Sequence, residues 1–426
     1  MGSVGAALLA AALPGGAWAA LAAVNLMLAG LVMADVAAAT RPERLRLRRE
    51  VAPVLRTGRR AAVELHLHNP SRRALEVTAR DASPPSLARK PPRHRARLPP
   101  GGWGVLPAEI SPSRRGFADL GPVTLRVAGP LGLAGRQATL SLPARLKVYP
   151  ALPGRAEVEL RLERAMLLLA GERSAAVRGG GTDFDSLREY HPDDEFRRIN
   201  WRATARAAKA ISNVYREERN QQVMLMMDAG RTMATSVAGV TRFEHALDAS
   251  LAVAELAARV GDHVGMVAFG RDVLAMVGPR SGRTQPRRIL DALFDLEPEL
   301  SAPNYARAFS LLLARCRRRA LLVLVTELAD ESSMESLFAA VPSLVRRHLL
   351  LVGSVVDPEL EALATSAPSS SEEVYLKAAA SEALLARGRT AGLLRRMGAL
   401  VIDLPPGKLA GRLADEYLRI KAFGRL

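Results

Sequence analysis

An almost unbroken apolar segment at the amino end is the feature that most limits how this chain can fold. Between Val4 and Ala39 the one charged side chain is Asp35. Pro14-Gly15-Gly16 divides the segment, and its longer part, residues 17–39, would form a helix about 34 Å long. That length exceeds the hydrocarbon core of a bilayer, which is about 30 Å thick. The sequence therefore predicts a transmembrane helix and makes residues 1–40 a membrane anchor.

The sequence leaves the number of spans open. Residues 4–13 are short for a full span, so the choice is between one helix and a helical hairpin that turns at Pro14-Gly15-Gly16. A cleaved signal peptide ending at Ala37-Ala38-Ala39 is a competing interpretation, although such leaders begin with basic residues and none precedes this segment. A third alternative is a buried, alanine-rich helical hairpin of a soluble domain.

Basic residues directly after the apolar segment predict its orientation. Residues 41–49 contain five arginines, Arg41, Arg44, Arg46, Arg48 and Arg49. Because basic residues beside a span stay on the cytoplasmic side, we expect an inner-membrane protein whose soluble domains lie in the cytoplasm. The single cysteine, Cys316, agrees with a reducing compartment, since it excludes an internal disulfide.

Residues 41–150 are predicted to form a small antiparallel β-sandwich. Short alternating strands are expected over residues 61–68, 75–80, 123–127, 138–142 and 146–149, with proline- and glycine-rich turns between them. His66 and His68 share one face of the first of these strands, which favours a solvated or packed face over a metal site because no third ligand is evident.

The net charge of the chain is concentrated in this β domain. Of the +17 total, residues 41–150 contribute +15, from 22 basic and 7 acidic side chains. Binding to single-stranded nucleic acid would require aromatic residues among the basic ones for base stacking, and this domain has few. Attraction to anionic lipid head groups is therefore the simpler interpretation, and nucleic acid is the less favoured partner.

From residue 222 onward, apolar strands alternate with amphipathic helices. Strands are predicted over residues 223–227, 264–269, 320–326, 348–355 and 400–404, and helices over 243–260, 285–294, 305–315, 333–346, 373–387 and 409–420. This alternation predicts a doubly wound α/β domain over residues 222–426, built on an open, mostly parallel sheet. Such folds bind ligands at the carboxyl ends of the strands, where Asp228 and Glu327 lie in this sequence.

Residues 151–221 connect the two soluble domains. A helix is predicted over 156–170, and Gly179-Gly180-Gly181 is interpreted as a flexible connector because no Walker pattern follows it. Residues 183–206 then alternate carboxylates, arginines and aromatic residues. From residue chemistry alone, a fixed ion-pair and stacking network and a solvated charged loop are equally acceptable.

The connecting region carries a specific resemblance. The run Leu187-Arg188-Glu189-Tyr190-His191-Pro192-Asp193-Asp194, continued by Arg197, Ile199, Asn200-Trp201 and Ala205-Arg206, resembles the signature of the bacterial domain-of-unknown-function 58 family. Asp193 stands where that family usually has glycine. Shorter matches include Arg115-Gly116, Leu120-Gly121-Pro122, Pro130-Leu131-Gly132-Leu133 and Val148-Tyr149-Pro150. As candidate interaction residues we take Arg188, Tyr190, Asp194, Arg197, Asn200, Trp201 and Arg206.

The resemblance implies both a fold and a partner. In that family the signature precedes a von Willebrand factor A-like domain, which here would open at residues 223–228. Relatives are typically encoded beside MoxR-type AAA+ ATPases and are thought to act as their adaptors or assembly partners. We therefore expect a membrane-anchored adaptor or scaffold that works with such an ATPase in protein assembly or maturation, and not an enzyme.

The resemblance also implies a degenerate Mg²⁺ site. The A-type metal site uses an Asp-x-Ser-x-Ser loop, a threonine and a later aspartate. Asp228 matches, Gly230 replaces the first serine and Thr232 the second, Asn304 stands at the threonine position, and Glu327 stands at the later aspartate. Fewer oxygen ligands would then surround an ion. A metal-dependent hydrolase using Asp228 and Glu327, and a basic protein that binds lipid or nucleic acid, are the alternative functions.

Overall fold

The computed structural model of the chain describes residues 16–90, 93–150, 163, 183–192, 194, 196–216 and 221–423. The chain divides into two compact units, Met1–Ala151 and Leu152–Leu426. Three segments lie outside the described residues. They are residues 4–13, which would form the first arm of the alternative helical hairpin, the predicted helix over 156–170 apart from residue 163, and the glycine connector.

The amino-terminal unit begins with helix α1, Gly16–Ala38. It is apolar all around, so it has no polar face to present to water. Many of its large side chains are exposed, among them Leu26 at 73% and Met33 at 70%. Among the described residues, one helix, near the amino terminus, is long and apolar enough to cross a membrane. This agrees with the predicted anchor by length and composition.

Eleven strands follow α1, after a short 3-10 helix at Pro42–Arg44. They form two four-stranded sheets, in the orders β1-β3-β7-β5 and β10-β9-β4-β6, and a three-stranded sheet, β2-β11-β8. The strands are β1 Arg46–Val51, β2 Val54–Arg56, β3 Ala61–His68, β4 Leu75–Asp81, β5 Leu87–Lys90, β6 His94–Leu98, β7 Trp103–Pro112, β8 Gly116–Leu120, β9 Val123–Ala128, β10 Gly135–Leu140 and β11 Ala144–Tyr149.

Alternation along the strands builds the core of this unit. In β3 the residues Val63, Leu65 and Leu67 are buried while the residues between them are partly exposed, and β4 and β9 repeat the pattern. The predicted β-rich region is confirmed, with all five predicted strands present. The prediction missed β1, β2 and β5 to β8. Strand β1 has the sequence Arg-Leu-Arg-Arg-Glu-Val and lacks an alternating apolar pattern, and its arginines were interpreted only as membrane-flanking charges.

A hairpin is the first pair of strands among the described residues of the carboxy-terminal unit. Strand β12, Asp183–Glu189, pairs antiparallel with β13, Ile211–Arg216. A short 3-10 helix at Phe196–Arg198 and helix α2, Trp201–Ala207, lie between these strands. We call residues 183–216 the signature hairpin. The segment of residues 183–206, for which no helix or strand was predicted, therefore contains regular structure of its own.

The α/β fold occupies the rest of the unit. Its six-stranded sheet has the order β18-β17-β14-β19-β20-β21, and every pairing is parallel except that of the edge strand β18. The six strands are β14 Gln222–Asp228, β17 His263–Phe269, β18 Val273–Arg280, β19 Ala320–Val325, β20 Leu349–Val355 and β21 Leu400–Leu404. Two short strands, β15 Ser236–Val237 and β16 Val240–Thr241, form a separate antiparallel pair. The helices are α3 Arg242–Val260, α4 Gln285–Leu293, α5 Tyr305–Arg315, α6 Glu335–Val345, α7 Pro358–Thr365, α8 Ser371–Arg396 and α9 Leu409–Ala422.

Burial explains why these strands were predictable. All six residues of β19 are buried, as expected for a central strand covered by helices on both faces. Helix α3 is also signalled locally, since the Thr241 hydroxyl accepts the Glu244 backbone N–H at 3.3 Å and Gly261 ends the helix at φ 91°. The predicted α/β region is confirmed. Edge strand β18 and helix α7 were missed, and α8 is longer than predicted.

Candidate functional site

The carboxyl edge of the parallel sheet carries a buried polar cluster. Asp228, the last residue of β14, is fully buried. Its Oδ1 accepts a hydrogen bond from the Gly230 backbone N–H at 2.7 Å. Its Oδ2 accepts hydrogen bonds from the Thr326 hydroxyl at 2.6 Å and from the Tyr305 hydroxyl at 2.9 Å. Both carboxylate oxygens are therefore bonded within the protein.

Glu327 lies beside this group and is held by two arginines. Arg242, the first residue of α3, forms an ion pair with Glu327 Oε2 at 2.8 Å. Arg387, from the middle of α8, donates to Glu327 Oε1. The Arg387 guanidinium also donates to Asp403 Oδ1 at 2.6 Å and to the Ser354 hydroxyl at 2.9 Å. The buried Arg387 guanidinium thus links Glu327, which follows β19, with Ser354 near the end of β20 and Asp403 near the end of β21.

Burial controls the proton affinities of the cluster. It raises the pKa of Asp228, against the hydrogen bonds from Thr326, Gly230 and Tyr305, which lower it. Burial also raises the pKa of Tyr305 well above its ordinary value, and the negative charges of Asp228 and Glu327 add to that rise. Tyr305 therefore stays protonated and can act as a hydrogen-bond donor to Asp228.

The remaining predicted metal residues lie at or beside the amino-terminal ends of helices. The Asn304 side chain caps helix α5 by accepting the Arg307 backbone N–H at 3.0 Å. Thr232 is half-buried in the 3-10 helix Arg231–Ala234, where its carbonyl accepts the Thr235 hydroxyl at 2.6 Å. At Gly230, a side-chain Cβ would lie 2.6 Å from Pro303 Cδ, which explains why no serine stands there.

These contacts do not fit the Mg²⁺ site that the resemblance implies. A divalent ion needs carboxylate and hydroxyl oxygens with lone pairs directed at it. Here Asp228 already accepts three hydrogen bonds, and Glu327 contacts two guanidinium groups. An ion beside Glu327 would be repelled by Arg242 and Arg387. We derive no chemical step through a metal at this cluster.

Sequence reasoning found only part of the cluster. Asp228, Thr326 and Glu327 were predicted at the carboxyl ends of strands, where such folds bind ligands. Their partners Tyr305, Arg387 and Arg242 were not singled out. Arg387 gave no local signal, because it is one of many charged residues on a long helix.

The signature hairpin is held by its own polar network. Arg188 donates to Asp194 Oδ1 at 2.5 Å, and the Tyr190 hydroxyl donates to the Asp194 carbonyl at 3.1 Å. Asn200 caps helix α2 by accepting the Ala203 N–H at 3.0 Å, and its amide donates to Asn213 Oδ1 at 2.9 Å. The structure thus joins Arg188, Tyr190 and Asp194 in one network and assigns Asn200 a capping role.

The same hairpin carries exposed aromatic residues. Trp201 is 61% exposed and Phe196 is 69% exposed, and their rings contact edge to face with centroids 5.6 Å apart. Arg197 and Arg206 are also exposed. Exposed large aromatic residues on an ordered segment are typical of interaction surfaces. Within the part of the hairpin that the structure describes, Trp201, Arg197 and Arg206 are not among the residues joined by the Arg188 network.

A separate group of metal-ligating side chains lies on the outer face of the β unit. Atoms of Glu50, Glu64 and His66 lie within 4.8 Å of one another. His66 Nε2 is 3.2 Å from Glu64 and 3.5 Å from Glu50, and both carboxylates are exposed. Because exposed acidic groups of this kind are common without an ion, the arrangement agrees with a solvated strand face.

Comparison with known proteins supports assignment to one family. Residues 186–384 match the family of proteins of unknown function DUF58. The match begins in β12 and ends in α8, so it includes most of the signature hairpin and much of the α/β fold. Uncharacterized proteins of Mycobacterium tuberculosis and Mycobacterium bovis are 23% identical over 194 residues, which are 45% of this chain and 60% of each relative.

Similarity to solved structures is weaker. The CARDB domain of a Pyrococcus furiosus protein is 15% identical, and the match covers 24% of this chain and 86% of that domain, with a TM-score of 0.19. A FixG-related protein from Vibrio parahaemolyticus is 9% identical, with 24% and 95% covered and a TM-score of 0.18. Neither similarity carries an argument about function.

Proposed function

We propose, starting from the match of residues 186–384 to the DUF58 family, that this chain is a membrane-anchored adaptor. In this proposal α1 holds the protein in the inner membrane, its soluble units lie in the cytoplasm, and the α/β unit binds a MoxR-type AAA+ ATPase. The ATPase and the von Willebrand factor A-like character of the α/β fold come from the resemblance of residues 187–206 and 223–228.

The exposed aromatic pair on the signature hairpin is the observation that carries the proposal. Phe196 and Trp201 together expose two large rings on a segment whose backbone is fixed by the Asn200 cap and the Arg188 network. Aromatic anchors with neighbouring arginines dominate many protein interfaces. A fixed, exposed pair loses little side-chain entropy on binding, which favours a protein partner at this surface.

The polar cluster supports an adaptor over a hydrolase. Asp228 and Glu327, the carboxylates that a metal-dependent hydrolase would use, are bonded to Thr326, Tyr305 and two arginines. A catalytic carboxylate needs a lone pair available to metal, water or substrate. If the hydrolase alternative were right, Asp228→Ala would abolish a hydrolytic activity of the parent protein, and we expect no such activity.

The test is copurification from native membranes. We would crosslink cells, solubilise the membranes, recover the full-length chain and measure the MoxR-type ATPase encoded beside it. The variant Phe196→Ser with Trp201→Ser should recover at least about tenfold less ATPase, since tenfold corresponds to about 1.4 kcal/mol of binding free energy.

A matched control separates this surface from general loss of exposed apolar area. Tyr375 and Val374, on helix α8, are 77% and 52% exposed, and the variant Val374→Ser with Tyr375→Ser should recover as much ATPase as the parent. Reproducible absence of the ATPase from the parent sample would overturn the adaptor proposal. Equal recovery with both double variants would refute the hairpin as the binding surface.

A further inference from the structure

The carboxyl end of α1 is fastened to the β unit by a buried carboxylate. Asp35 is 1% exposed, and its two oxygens accept the backbone N–H groups of Leu131 at 2.7 Å and Ala134 at 2.9 Å. Arg136 Nε donates to the Val36 carbonyl at 2.9 Å. The loop between β9 and β10, residues 129–134, is therefore tied to the last turn of the apolar helix.

Strand register identifies the other loops at this end of the sandwich. Strand β9 runs toward the tied loop, and Val127 near its end pairs with Val77 near the start of β4. Leu75 of β4 pairs with Leu98, the end of β6. Because β6 continues into β7 through a short turn, Trp103 lies at the same end, as does His68, which pairs with it across β3 and β7.

Three loops therefore lie at the end of the β unit where α1 joins it. They are residues 69–74, 99–103 and 129–134, and we call them together the helix-proximal tip. Backbone hydrogen bonds join the first two, from Asn69 N–H to the Gly102 carbonyl at 2.9 Å and from Gly101 N–H to the Ser71 carbonyl at 3.1 Å. A groove of about 370 Å³ is lined by Ala38 of α1 together with residues of the first and third loops.

The helix-proximal tip exposes large apolar side chains. Trp103 is 56% exposed, Leu131 is 57% exposed and Leu133 is 52% exposed. The last turns of α1 expose apolar residues as well, with Met33 at 70%. The tip thus exposes apolar side chains at the end of the β unit where the helix that is long enough to span a bilayer joins it.

Basic side chains accompany these apolar residues. Exposed arginines lie on the tip or on the segments that adjoin it, and they outnumber the exposed acidic residues of the same segments, which are Glu43 and Glu76. The arginines are Arg41, Arg44, Arg46, Arg72, Arg73 and Arg97. Tryptophan and leucine at the acyl boundary, with arginine at the phosphate level, is the pattern of a membrane–water interface.

We propose that the helix-proximal tip lies in the head-group region of the bilayer that α1 enters. Trp103, Leu131 and Leu133 insert at the boundary between head groups and acyl chains, and the surrounding arginines contact anionic lipid phosphates. Since Asp35 holds loop 129–134 at the end of the helix, the β unit has a fixed attachment to the membrane surface. The proposal rests on the membrane anchoring stated under the proposed function and is independent of the ATPase.

The test measures depth in the membrane on the full-length chain. In a Cys316→Ala background, Leu133→Cys and Trp103→Cys would each carry an environment-sensitive fluorophore, in vesicles of phosphatidylcholine and phosphatidylglycerol. Lipids with a doxyl quencher near the head group should quench both labels several-fold more than a label at Val54→Cys. Val54 is 47% exposed and begins strand β2, beyond the end of β1 that is remote from the tip.

The two labels on different loops guard against a local effect of labelling. Strong quenching at both tip positions with weak quenching at position 54 supports the proposal. Equal, weak quenching at all three positions overturns it. In vesicles of phosphatidylcholine alone, we expect the labels at the tip to lie less deeply and to be quenched less. Added inorganic phosphate should not reproduce the effect of phosphatidylglycerol. If it does, the arginines bind free phosphate and the lipid assignment is wrong.

Failure of this proposal can be distinguished from failure of the proposed function. Alkaline carbonate extraction of the parent vesicles tests anchoring by α1 directly. A chain that resists extraction but leaves both tip labels unquenched refutes only the tip proposal. A chain that carbonate extracts refutes anchoring itself, and recovery of the ATPase in the copurification experiment is measured separately from both.

Discussion

Arg387 is the residue on which the polar cluster of the α/β unit depends. Its side chain is 6% exposed and contacts two carboxylates, those of Glu327 and Asp403. Burial raises the pKa of Glu327, and the positive charges of Arg387 and Arg242 act in the opposite direction. A buried pair of this kind is costly to break, because one partner then remains as an uncompensated buried charge.

We predict that Arg387→Met lowers the free energy of unfolding of the α/β unit by about 3–5 kcal/mol. Thermal unfolding of the detergent-solubilised chain would measure the loss. The matched control is Arg389→Met on the same helix, since Arg389 is 62% exposed in its contact with Glu331 and should contribute at most about 1 kcal/mol. Equal losses for both variants would contradict the role given to Arg387.

His348 gives a pH-dependent prediction. Burial, followed by the positive charges of Arg347 and Arg319, lowers its pKa below the ordinary value of 6.5. Below pH 6.5 the unfolded chain therefore binds a proton that the folded chain resists. Neutral His348 therefore makes its full contribution to the free energy of unfolding above pH 6.5. This contribution is lost as the pH falls from 6.5 toward the lower pKa of His348 in the folded chain.

The variant His348→Leu should remove this dependence. Neither ring nitrogen of His348 has a hydrogen-bond partner among the described residues, so we also expect a gain of about 1 kcal/mol in stability at neutral pH. Unfolding midpoints between about pH 5 and 8 would measure both effects. His191→Leu, at an exposed histidine, is the control, and a parent-like acid slope in His348→Leu would refute the prediction.

At the scale of elements, the contact between α1 and the loop that joins β9 to β10 is the most consequential. In the sequence, Asp35 is the one charged side chain of the apolar segment. In the structure its carboxylate accepts hydrogen bonds from two backbone N–H groups. At Gly129, a Cβ would collide with the Asp35 carboxylate, so glycine is required for this approach.

We predict that Asp35→Ala frees the loop at residues 129–134 from the helix. Hydrogen bonds to a charged group contribute about 1.5–3 kcal/mol, so exchange of the Leu131 and Ala134 amides should accelerate at least about tenfold. Hydrogen exchange with mass detection would measure this in the full chain. Asn25→Ala removes a hydrogen bond internal to α1, from Nδ2 to the Leu21 carbonyl, and should leave the loop unchanged. If hydrogen exchange of the loop is unaltered in Asp35→Ala, Asp35 does not hold the loop to the helix.

At the scale of the whole molecule, the two units differ in charge and in what they offer a partner. The β unit carries nearly all of the net charge of +17 and is fastened to the apolar helix. The α/β unit is close to neutral and contains the closed polar cluster. Its stability should therefore not depend on a divalent ion, since the two guanidinium groups at Glu327 already compensate the carboxylate.

We predict that millimolar Mg²⁺ leaves the unfolding midpoint of the full chain unchanged relative to the same chain in a chelator. A ligand that binds only the folded state raises the free energy of unfolding with the logarithm of its concentration over its dissociation constant, so a millimolar ion reports even a modest affinity. A Mg²⁺-dependent rise of the unfolding midpoint that disappears in Asp228→Asn would show that the polar cluster binds the ion and would restore the metal site.

The sequence by itself determined the features that depend on local composition. The apolar run of residues 17–39 predicted α1, since a spanning helix is set by length and hydropathy. The central strands β14, β17 and β19 were predictable because burial on both faces requires continuous apolar runs. Edge strand β18 was missed, because its residues are mostly half-exposed and carry no such run.

Tertiary structure alone decided the sites. The Asp228–Thr326 hydrogen bond joins residues 98 positions apart, and the Asp35–Leu131 bond joins residues 96 positions apart. A sequence pattern reports the environment that one residue requires, but not which distant group supplies it. Only packing brought Arg387 of α8 to Glu327, and only strand register brought Trp103 and Leu131 to the end of the β unit where the apolar helix joins it.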